Sequence, residues 1–262
     1  MTPNPAFDRT ERLVGSDAMQ ALHQARVLIV GVGGVGSWCA ESLLRTGVGH
    51  LTLVDADTVC HTNLNRQLMA TTSTLGRPKV DALRERLLDI CPTADVVARR
   101  EVFTADTAAS FALDDYDYVV DAIDSLHDKA ELLLRASAAH TTLFSSMGAA
   151  LKMDPTRVQV AEFWKVKGCP LAAALRRRFK RLKVFPARKF RCVFSDELLP
   201  NLGGCIEHDA PQAHQVLTAQ PEAVGLPRKA QVNGSLMHIT ALFGLTLSGL
   251  IVQHICRQAQ QA

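Results

Sequence analysis

The stretch RVLIVGVGGVGSWCAESLLRTGVGHLTLVDAD, residues 26–57, decides the fold of this chain. A short aliphatic run, Val27–Val30, has the composition of a strand that is buried on both faces. It is followed by the glycine-rich residues 31–36, a helical stretch, Ser37–Arg45, and a second apolar run, Leu51–Val54, that ends on an aspartate. Strand, glycine turn, helix, strand and acid in this order predict a mononucleotide-binding βαβ unit.

The glycine loop, residues 31–36, and Asp55 predict a bound nucleotide. Glycines let the backbone turn tightly and approach a phosphate, and the amides that begin the next helix point at the anion. Asp55 lies 19 residues beyond Gly36, where a carboxylate accepts hydrogen bonds from ribose hydroxyls. The pattern alone leaves NAD and ATP open, because Gly31, Gly33 and Gly36 satisfy the dinucleotide fingerprint.

The composition is that of an ordinary soluble globular protein. The 262 residues, 47% hydrophobic and 21% charged, are enough to bury a sizeable core. The seven cysteines include no Cys-x-x-Cys pair, so we expect neither a disulfide framework nor a structural zinc site of the usual spacing. The first ten residues are polar and include two prolines, unlike a secretory leader, and a cytoplasmic location is expected.

Alternating strands and helices continue beyond the βαβ unit. Further strands are expected at Ala94–Ala98, Tyr118–Asp121, Thr142–Met147, Arg157–Phe163 and Arg191–Ser195. Further helices are expected at Asp17–Gln24, Lys79–Ile90, Ala105–Ala112, Lys129–Ala139 and Pro170–Leu182. The fold class is therefore α/β: a Rossmann-like ATP-binding or NAD-binding fold with a mostly parallel central sheet and an irregular C-terminal extension. We expect residues 1–155 to form the nucleotide-binding core and 156–262 the substrate-facing part of the same domain.

The C-terminal extension is expected to hold a long loop and one apolar helix. Residues 196–230 are punctuated by prolines and glycines and predict the loop. Residues 231–256 carry no Asp, Glu, Lys or Arg and are long enough to span a bilayer. Polar residues and glycines within this run, and basic residues at both ends, favour a buried core helix over membrane association.

Polar groups downstream of Asp55 favour ATP over NAD. Asn63, Arg66, Gln67 and Lys79 follow within 25 residues. An enzyme that activates a carboxylate with ATP needs such cations, because charge builds on the α-phosphate and on the leaving pyrophosphate. The simpler alternatives are that Arg66 pairs with Asp57 on the surface and that Lys79 is a solvated lysine in the first turn of its helix.

Two carboxylates, Asp121 and Asp124, lie at the end of the fourth strand. Ligands bind at the carboxyl ends of strands in open α/β sheets. Asp124 is expected to hold Mg²⁺ over the ATP phosphates. Asp121 is expected to be the structural partner of its own turn.

Together these motifs resemble the superfamily of ubiquitin-activating-type adenylating enzymes, which includes the activators of the molybdopterin and thiamin sulfur carriers. The matching segments are residues 31–36, Asp55-Ala56-Asp57, Asn63-x-x-Arg66-Gln67, Lys79 and Asp121–Ser125. The resemblance implies an ATP site formed by Gly31, Gly33, Gly34, Gly36, Asp55, Asp57, Asn63, Arg66, Gln67 and Lys79. It also implies that Arg66, Lys79 and Asp124 are the catalytic residues.

Within this superfamily the chain is most similar, over nearly its whole length, to the bacterial tRNA threonylcarbamoyladenosine dehydratases. The supporting segments are residues 35–38, 57–63, 121–125, 154–156, 170–173 and 192–195. That family uses ATP to cyclise the threonyl side chain of the modified adenosine next to the anticodon, with loss of water. The resemblance therefore implies a tRNA-modifying enzyme with ATP and Mg²⁺ as cofactors and tRNA as partner.

Two differences from relatives bear on this resemblance. Sulfur-carrier activators commonly have paired Cys-x-x-Cys zinc ligands, which this chain lacks; this favours the dehydratases over the alternative, adenylation of the C-terminus of a small sulfur-carrier protein. Some dehydratases have a cysteine shortly before the final helix, whereas this chain reads KAQVN at residues 229–233, so no sulfur-relay role is carried over. A cysteine desulfurase or sulfur-acceptor partner stays open, as does an adenylated or a phosphorylated substrate.

A basic segment is the predicted tRNA contact. Residues 163–195 contain eleven Lys or Arg and no Asp or Glu, whereas the rest of the chain has a net charge of −8. Residues 176–191 hold nine of these cations, interleaved with Phe179, Phe185 and Phe190. A solvated helix face is the simpler alternative, but with tRNA as the implied substrate we expect phosphate contacts and some base stacking. The predicted contacts are Arg176, Arg177, Arg178, Lys180, Arg181 and Lys183.

The superfamily resemblance also implies a homodimer whose ATP sites are completed across a two-fold axis. Arg9 or Arg12 is expected to be the arginine that crosses the interface. The thiols of Cys39, Cys91 and Cys192 are expected to be buried in the core rather than reactive.

Overall fold

The computed structural model describes residues 5–203 and 233–261. The helices and strands follow in chain order: α1 (Asp8–Val14), α2 (Ser16–Gln24), β1 (Arg26–Val30), α3 (Gly36–Thr46), β2 (His50–Val54), α4 (Lys79–Ile90), β3 (Asp95–Arg99), β4 (Tyr118–Asp121), α5 (Leu126–Ala138), β5 (Thr142–Ser146), β6 (Val158–Glu162), α6 (Pro170–Leu182), β7 (Arg191–Ser195) and α7 (Met237–Ala259). Short 3-10 turns lie between several of them.

The strands form one sheet in the order β3-β2-β1-β4-β5-β7-β6. All neighbours are parallel except β6, which runs antiparallel to β7. The predicted α/β fold with a mostly parallel sheet is therefore confirmed. The parallel strands end at one edge of the sheet, here called the carboxyl edge, and the glycine loop follows β1 there.

Helices cover both faces of the sheet because the central strands are apolar on both sides. The exposed fraction of Val27, Leu28, Ile29 and Val30 is at most 2%. Side chains of α2, α3, α4 and α7 pack with one face of the strands in one apolar cluster. Side chains of α5 and α6 pack with the other face in a second cluster. The result is a three-layer domain.

The C-terminal apolar helix is a core element, as the sequence favoured. α7 has the length and hydropathy of a membrane span, but its Ile239, Phe243, Leu247 and Ile251 are fully buried at the i, i+4 spacing of one helix face. It packs closely on α3: a Cβ added to Gly244 would lie 2.4 Å from the Val35 carbonyl oxygen.

The predicted helix at Ala105–Ala112 is wrong. The structure has only a 3-10 turn, Ala108–Phe111, which ends at Ala112 with a φ of 44°. Threonine side chains take over the local hydrogen bonds: the Thr107 hydroxyl accepts from the Thr104 amide at 2.9 Å and donates to the Val102 carbonyl at 2.7 Å. Such side-chain bonds compete with the regular helical pattern.

The final helix begins later than the predicted residue 231. Residues 233–236 are not helical, because the Gly234 amide donates to Asn201 Oδ1 and its carbonyl accepts from the Leu151 amide, both at 2.9 Å. The predictions for residues 204–232 lie outside the described residues.

Two other helices differ from the sequence prediction. α1 was not predicted, and α5 begins at Leu126 rather than Lys129 because Ser125 caps its first turn.

Candidate functional site: a glycine loop at the carboxyl edge

The glycine loop turns where no other residue fits. Gly31 has a φ of 90°, and its amide donates to the Val54 carbonyl at 2.8 Å. A Cβ there would lie 2.7 Å from the Ala122 carbonyl oxygen, and a Cβ on Gly36 would lie 1.9 Å from the Gly31 oxygen. The loop is thus fixed by backbone contacts on β2, on the end of β4 and within itself.

The middle of the loop is more open. A Cβ on Gly33 would meet only the Gln67 side-chain nitrogen, at the ordinary distance of 3.6 Å. A Cβ on Gly34 would be tighter, at 3.2 Å from Arg66 Cγ and 3.3 Å from Thr240. Gly33 is therefore the position where a ligand can approach the backbone, with the predicted phosphate contact Gln67 beside it.

Asp55 directly follows β2 and is tied to the loop. Its carboxylate accepts hydrogen bonds from the Val32 amide at 2.9 Å and the Asp57 amide at 3.0 Å. Burial raises the pKa of Asp55, and the positive charge of Lys79 opposes that rise. Each carboxylate oxygen has about two acceptor sites, so acceptors remain for ribose hydroxyls.

Lys79 is buried, in contrast to the solvated lysine of the simpler alternative. Its side chain is 7% exposed, and Nζ forms an ion pair with Asp57 Oδ2 at 2.7 Å. The Lys79 amide also donates to the Asp57 carbonyl at 2.9 Å. Asp57 thereby holds the cation at the carboxyl edge, beside Asp55.

The predicted phosphate contacts Asn63, Arg66 and Gln67 lie in one tight turn. The Arg66 guanidinium donates to the Thr62 carbonyl at 2.8 Å and to Asn65 Oδ1 at 2.9 Å. Both acceptors are neutral, so its positive charge is not balanced by them. Asn63 is buried and accepts from the Cys60 amide at 3.1 Å, which fixes the turn.

Gln67 provides a direct test of whether a ligand fits. Within residues 5–203 and 233–261, its Oε1 is buried without a hydrogen-bond partner. Buried polar atoms are nearly always paired, so a missing partner is informative. A bound water or a ligand hydroxyl would supply the donor to Oε1, whereas the side-chain nitrogen, which lies beside Gly33, is the atom that can donate to a phosphate.

Two residues that the sequence analysis left without a role hold the site together. Ser37 Oγ donates to the Gly33 carbonyl at 2.6 Å and accepts from the Leu68 amide at 3.3 Å. Trp38 Nε1 donates to the Arg66 carbonyl at 3.1 Å. Together these three bonds join the glycine loop and the start of α3 to the segment that follows the Arg66 turn. The signal was available, since Ser37 and Trp38 directly follow the last glycine of the loop.

The two carboxylates at the end of β4 differ completely, and Asp121 is the structural partner of its turn, as predicted. Asp121 is fully buried, accepts from Ser145 Oγ at 2.5 Å and the Ile123 amide at 3.2 Å, and pairs with Lys129 at 2.7 Å. Burial raises its pKa, and Lys129 opposes the rise. The sequence analysis missed Lys129, a fully buried cation in α5. Asp124, in contrast, is exposed at the carboxyl edge.

Asp124 fits only a metal site that the nucleotide helps to form. In the part of the chain that the structure describes, no group of three or more His, Cys, Asp or Glu residues is placed to hold a metal ion. Mg²⁺ commonly binds through one or two carboxylates plus substrate phosphates. One exposed carboxylate near the glycine loop suits that mode.

The basic segment forms an exposed surface on α6 and the turn after it. Arg177, Lys180, Arg181 and Lys183 are exposed. Arg178 Nη2 lies 3.0 Å from His127 Nδ1 in the first turn of α5, only three residues after Asp124. The basic surface therefore adjoins the strand end that carries Asp124.

The expected stacking phenylalanines are only partly correct. Phe179 is 1% and Phe190 5% exposed, because both pack with Phe163 in the core, so neither is available to a base. Phe185 is 52% exposed. Arg176 is also partly committed: its guanidinium donates to the Phe163 carbonyl at 3.1 Å.

The remaining predicted residues occupy simple environments. Cys39, Cys91 and Cys192 are buried as expected, and burial raises the pKa of the Cys39 and Cys192 thiols. Arg9 and Arg12 are exposed on α1.

Comparison with known proteins identifies the family of this chain. The sequence profile of the ThiF family matches residues 7–260. The tRNA threonylcarbamoyladenosine dehydratase of Bacillus subtilis is 41% identical over 191 residues, covering 73% of this chain and 74% of that protein. The protein of the same name from Escherichia coli K12 is 36% identical over 264 residues, covering 97% of this chain and 95% of that protein.

A solved structure extends the similarity to three dimensions. The tRNA N6-threonylcarbamoyladenosine dehydratase of Escherichia coli, in complex with ATP, superposes with a TM-score of 0.81 at 33% identity, covering 98% of this chain and 96% of that chain. The sequence and structure matches both run nearly end to end. This chain therefore belongs to the ThiF family.

Proposed function

We propose that the protein is an ATP-dependent tRNA threonylcarbamoyladenosine dehydratase, which cyclises the threonylcarbamoyl group of the modified adenosine next to the anticodon. One observation carries the proposal. A glycine loop flanked by Arg66 and Lys79 occurs in a chain that is similar nearly end to end to dehydratases of that name.

The reaction needs no nucleophile from the protein. The free carboxylate of the substrate attacks the α-phosphorus of ATP, and pyrophosphate leaves. The neighbouring carbamoyl oxygen then attacks the activated carbonyl carbon, AMP leaves, and the carbamoyl nitrogen loses its proton. Both reacting groups belong to one molecule, so positioning and charge stabilisation are the contributions required of the enzyme. The buried cysteines described above have no part in this scheme.

The site residues take the following roles in this proposal. Asp55 accepts hydrogen bonds from the ribose hydroxyls while the Val32 and Asp57 amides hold it in place. The backbone at Gly33 approaches the phosphates. Arg66, whose two acceptors are neutral, stabilises the charge that develops on them. Lys79, which is held by Asp57, also stabilises that charge, and Asn63 and Gln67 complete the phosphate contacts.

Asp124 is the proposed Mg²⁺ ligand, together with ATP phosphate oxygens. When bound, the ion neutralises charge on the phosphates. Asp124 is suited to this because it is exposed at the carboxyl edge, whereas Asp121 is committed to Lys129 and Ser145.

The exposed cations of α6 are the proposed phosphate contacts of the tRNA. The contact of Arg178 with His127 links this surface to the region of Asp124, so an RNA on α6 can present its modified adenosine at the carboxyl edge. In keeping with a tRNA substrate, we propose a cytoplasmic location.

A homodimer is the proposed assembly. Arg9, Arg12 and Leu13 have the i, i+3, i+4 spacing of one helix face on α1, and Leu13 is 86% exposed. An exposed leucine beside two arginines suits an interface that delivers a cation to a partner's ATP site. Light scattering at working concentration measures the assembly, and a monomer would contradict this part of the proposal.

The decisive experiment combines purified protein, ATP, Mg²⁺ and tRNA that carries threonylcarbamoyladenosine. Mass spectrometry of the digested nucleosides should show the loss of one water, with AMP and pyrophosphate released. Release of ADP and phosphate instead would replace adenylation by phosphorylation. An unchanged nucleoside would contradict the function, and adenylation of a sulfur-carrier C-terminus would favour the alternative.

A pair of variants connects this activity to the site. Lys79→Met should reduce kcat/KM roughly a hundredfold or more, since the buried cation proposed to stabilise the developing charge is lost. Arg77→Ala is the matched control, because Arg77 is an exposed neighbour that pairs with Glu85. Equal activities for the two variants would contradict the role of Lys79.

A further inference from the structure

Two aromatic rings are exposed side by side at the end of the basic surface. Trp164 is 38% and Phe185 52% exposed, with ring centroids 6.1 Å apart and planes tilted by 48°. The neighbouring Leu182 and Val184 are 50% and 48% exposed. Clustered exposure of large apolar side chains marks an interaction site more often than isolated exposure does.

These rings are held rigidly from below. The Trp164 ring packs edge-to-face on Phe163, with centroids 5.2 Å apart, and Phe163 is buried. The Trp164 amide donates to Glu162 Oε2 at 3.1 Å, which fixes the start of the turn that carries the Trp164 ring. Arg176 holds the same turn through the Phe163 carbonyl. A preorganised ring surface loses little conformational entropy when a ligand binds.

The charge around the rings selects the kind of ligand. Lys165, Lys167, Lys180, Arg181 and Lys183 are exposed cations in the same acid-free segment, residues 163–195. A ligand with flat apolar faces and many negative charges fits such a surface, and a single-stranded nucleic acid has both. A second copy of this chain fits poorly, because a two-fold contact would place like charges opposite each other.

We propose that Trp164 and Phe185 form a stacking platform for an unpaired nucleobase of the RNA substrate. The choice of RNA rests on the proposed function. The stacked base is not the one that reacts, because the platform follows the end of β6, where Glu162 pairs with Arg191, the first residue of β7. That is the edge opposite the glycine loop. α6 begins at the carboxyl edge, where Leu171 packs at Gly148. Its 13 residues span about 20 Å, which separates the platform at its far end from the carboxyl edge.

The test compares a single-stranded oligoribonucleotide with an abasic oligonucleotide of the same length and charge. The wild-type protein should bind the base-bearing strand more tightly and show quenching of Trp164 fluorescence. The Trp164→Ala, Phe185→Ala variant should lose roughly tenfold in affinity for the base-bearing strand and little for the abasic one. Trp164→Phe should retain affinity while the quenching from this position disappears.

Val102→Ala is the matched control, since Val102 is 43% exposed outside the basic surface; it should change nothing. With tRNA substrate, the double variant should raise KM and leave kcat unchanged. Three outcomes would each overturn the platform. The double variant could lose the same affinity for both oligonucleotides, it could lose affinity for neither, or it could convert a wild-type dimer to a monomer. Failure of the proposed function is read separately, as an unchanged nucleoside with wild-type protein and ATP.

Discussion

The glycine loop and the surface of α6 bind anions in the proposal above, yet they are constructed differently. The loop is defined by shape: Gly31 and Gly36 touch backbone atoms so closely that a single methyl group does not fit. The α6 surface is defined by charge, with Arg177, Lys180 and Arg181 exposed to solvent. A small ligand held by backbone amides depends on a few irreplaceable positions. A long polyanion depends on the number of cations, and no single one is essential.

The sharpest test of this difference is a methyl group placed in the loop. Gly36→Ala should abolish ATP binding and reduce the free energy of unfolding by more than about 3 kcal/mol, because the new Cβ would lie 1.9 Å from the Gly31 oxygen and the backbone must move. Calorimetry with ATP and urea unfolding measure the two effects.

Gly33→Ala is the control within the same loop. Its Cβ has room, at 3.6 Å from the nearest atom of Gln67, so stability should remain close to that of wild type while ATP affinity falls. Similar behaviour of the two variants would mean that the loop is not divided into a structural and a ligand-facing position.

The next largest effect concerns the buried ion pair of Asp121 and Lys129, which supports the turn that carries Asp124. Asp121→Asn should cost about 3–5 kcal/mol of unfolding free energy, because it leaves the Lys129 ammonium buried without its counter-charge. The Asp121→Asn, Lys129→Met double variant should be more stable than Asp121→Asn. A double-mutant cycle by urea unfolding measures the coupling, and strict additivity would contradict it.

The pH dependence of stability gives a second measurement on this pair. Burial raises the pKa of Asp121 above its ordinary value of 3.8. The unfolded chain therefore releases this proton at lower pH than the folded protein does, and stability falls as the pH rises from 3.8 through the raised value. The double variant should lack this contribution. The same dependence of stability on pH in the wild-type protein and in the double variant would contradict the assignment of this contribution to Asp121.

The α6 surface should respond gradually instead. Arg177→Ala, Lys180→Ala should weaken tRNA binding for all sequences and flatten the plot of log affinity against log salt by roughly 0.7 for each lost phosphate contact. Arg77→Ala, Arg257→Ala removes the same charge elsewhere and should preserve the slope. Identical slopes for the two variants would show that α6 is a solvated face.

The sequence predicted the loop better than the surface for a physical reason. Residues 26–55 form local elements whose pattern fixes their geometry, so β1, α3, β2 and the position of Asp55 followed directly. Local hydrogen bonds of Thr104 and Thr107 overrode a helix-like composition. Phe179 and Phe185 lie six positions apart in one basic segment, and only packing against Phe163 decides that one is buried and the other exposed. Burial of this kind depends on distant strands and is not visible in the segment itself.

The smallest predicted effect lies where the helix and the basic surface meet. Lys183 directly follows α6 as its C-terminal cap and lies in the left-handed region, with a φ of 55°. That conformation costs an L residue about 1–2 kcal/mol, whereas glycine adopts it freely but has more entropy to lose on folding, about 0.5–1 kcal/mol. Lys183→Gly should therefore raise the free energy of unfolding by up to about 1 kcal/mol and the Tm by roughly 2–4 °C, although it removes one cation and flattens the salt slope. Lys180→Gly removes the same charge three positions earlier, inside the helix, and should lower stability by about 1 kcal/mol. If the two variants change stability in opposite directions but flatten the salt slope equally, the backbone role of Lys183 is separate from its charge. A change of stability in the same direction would mean that the left-handed turn stores no strain.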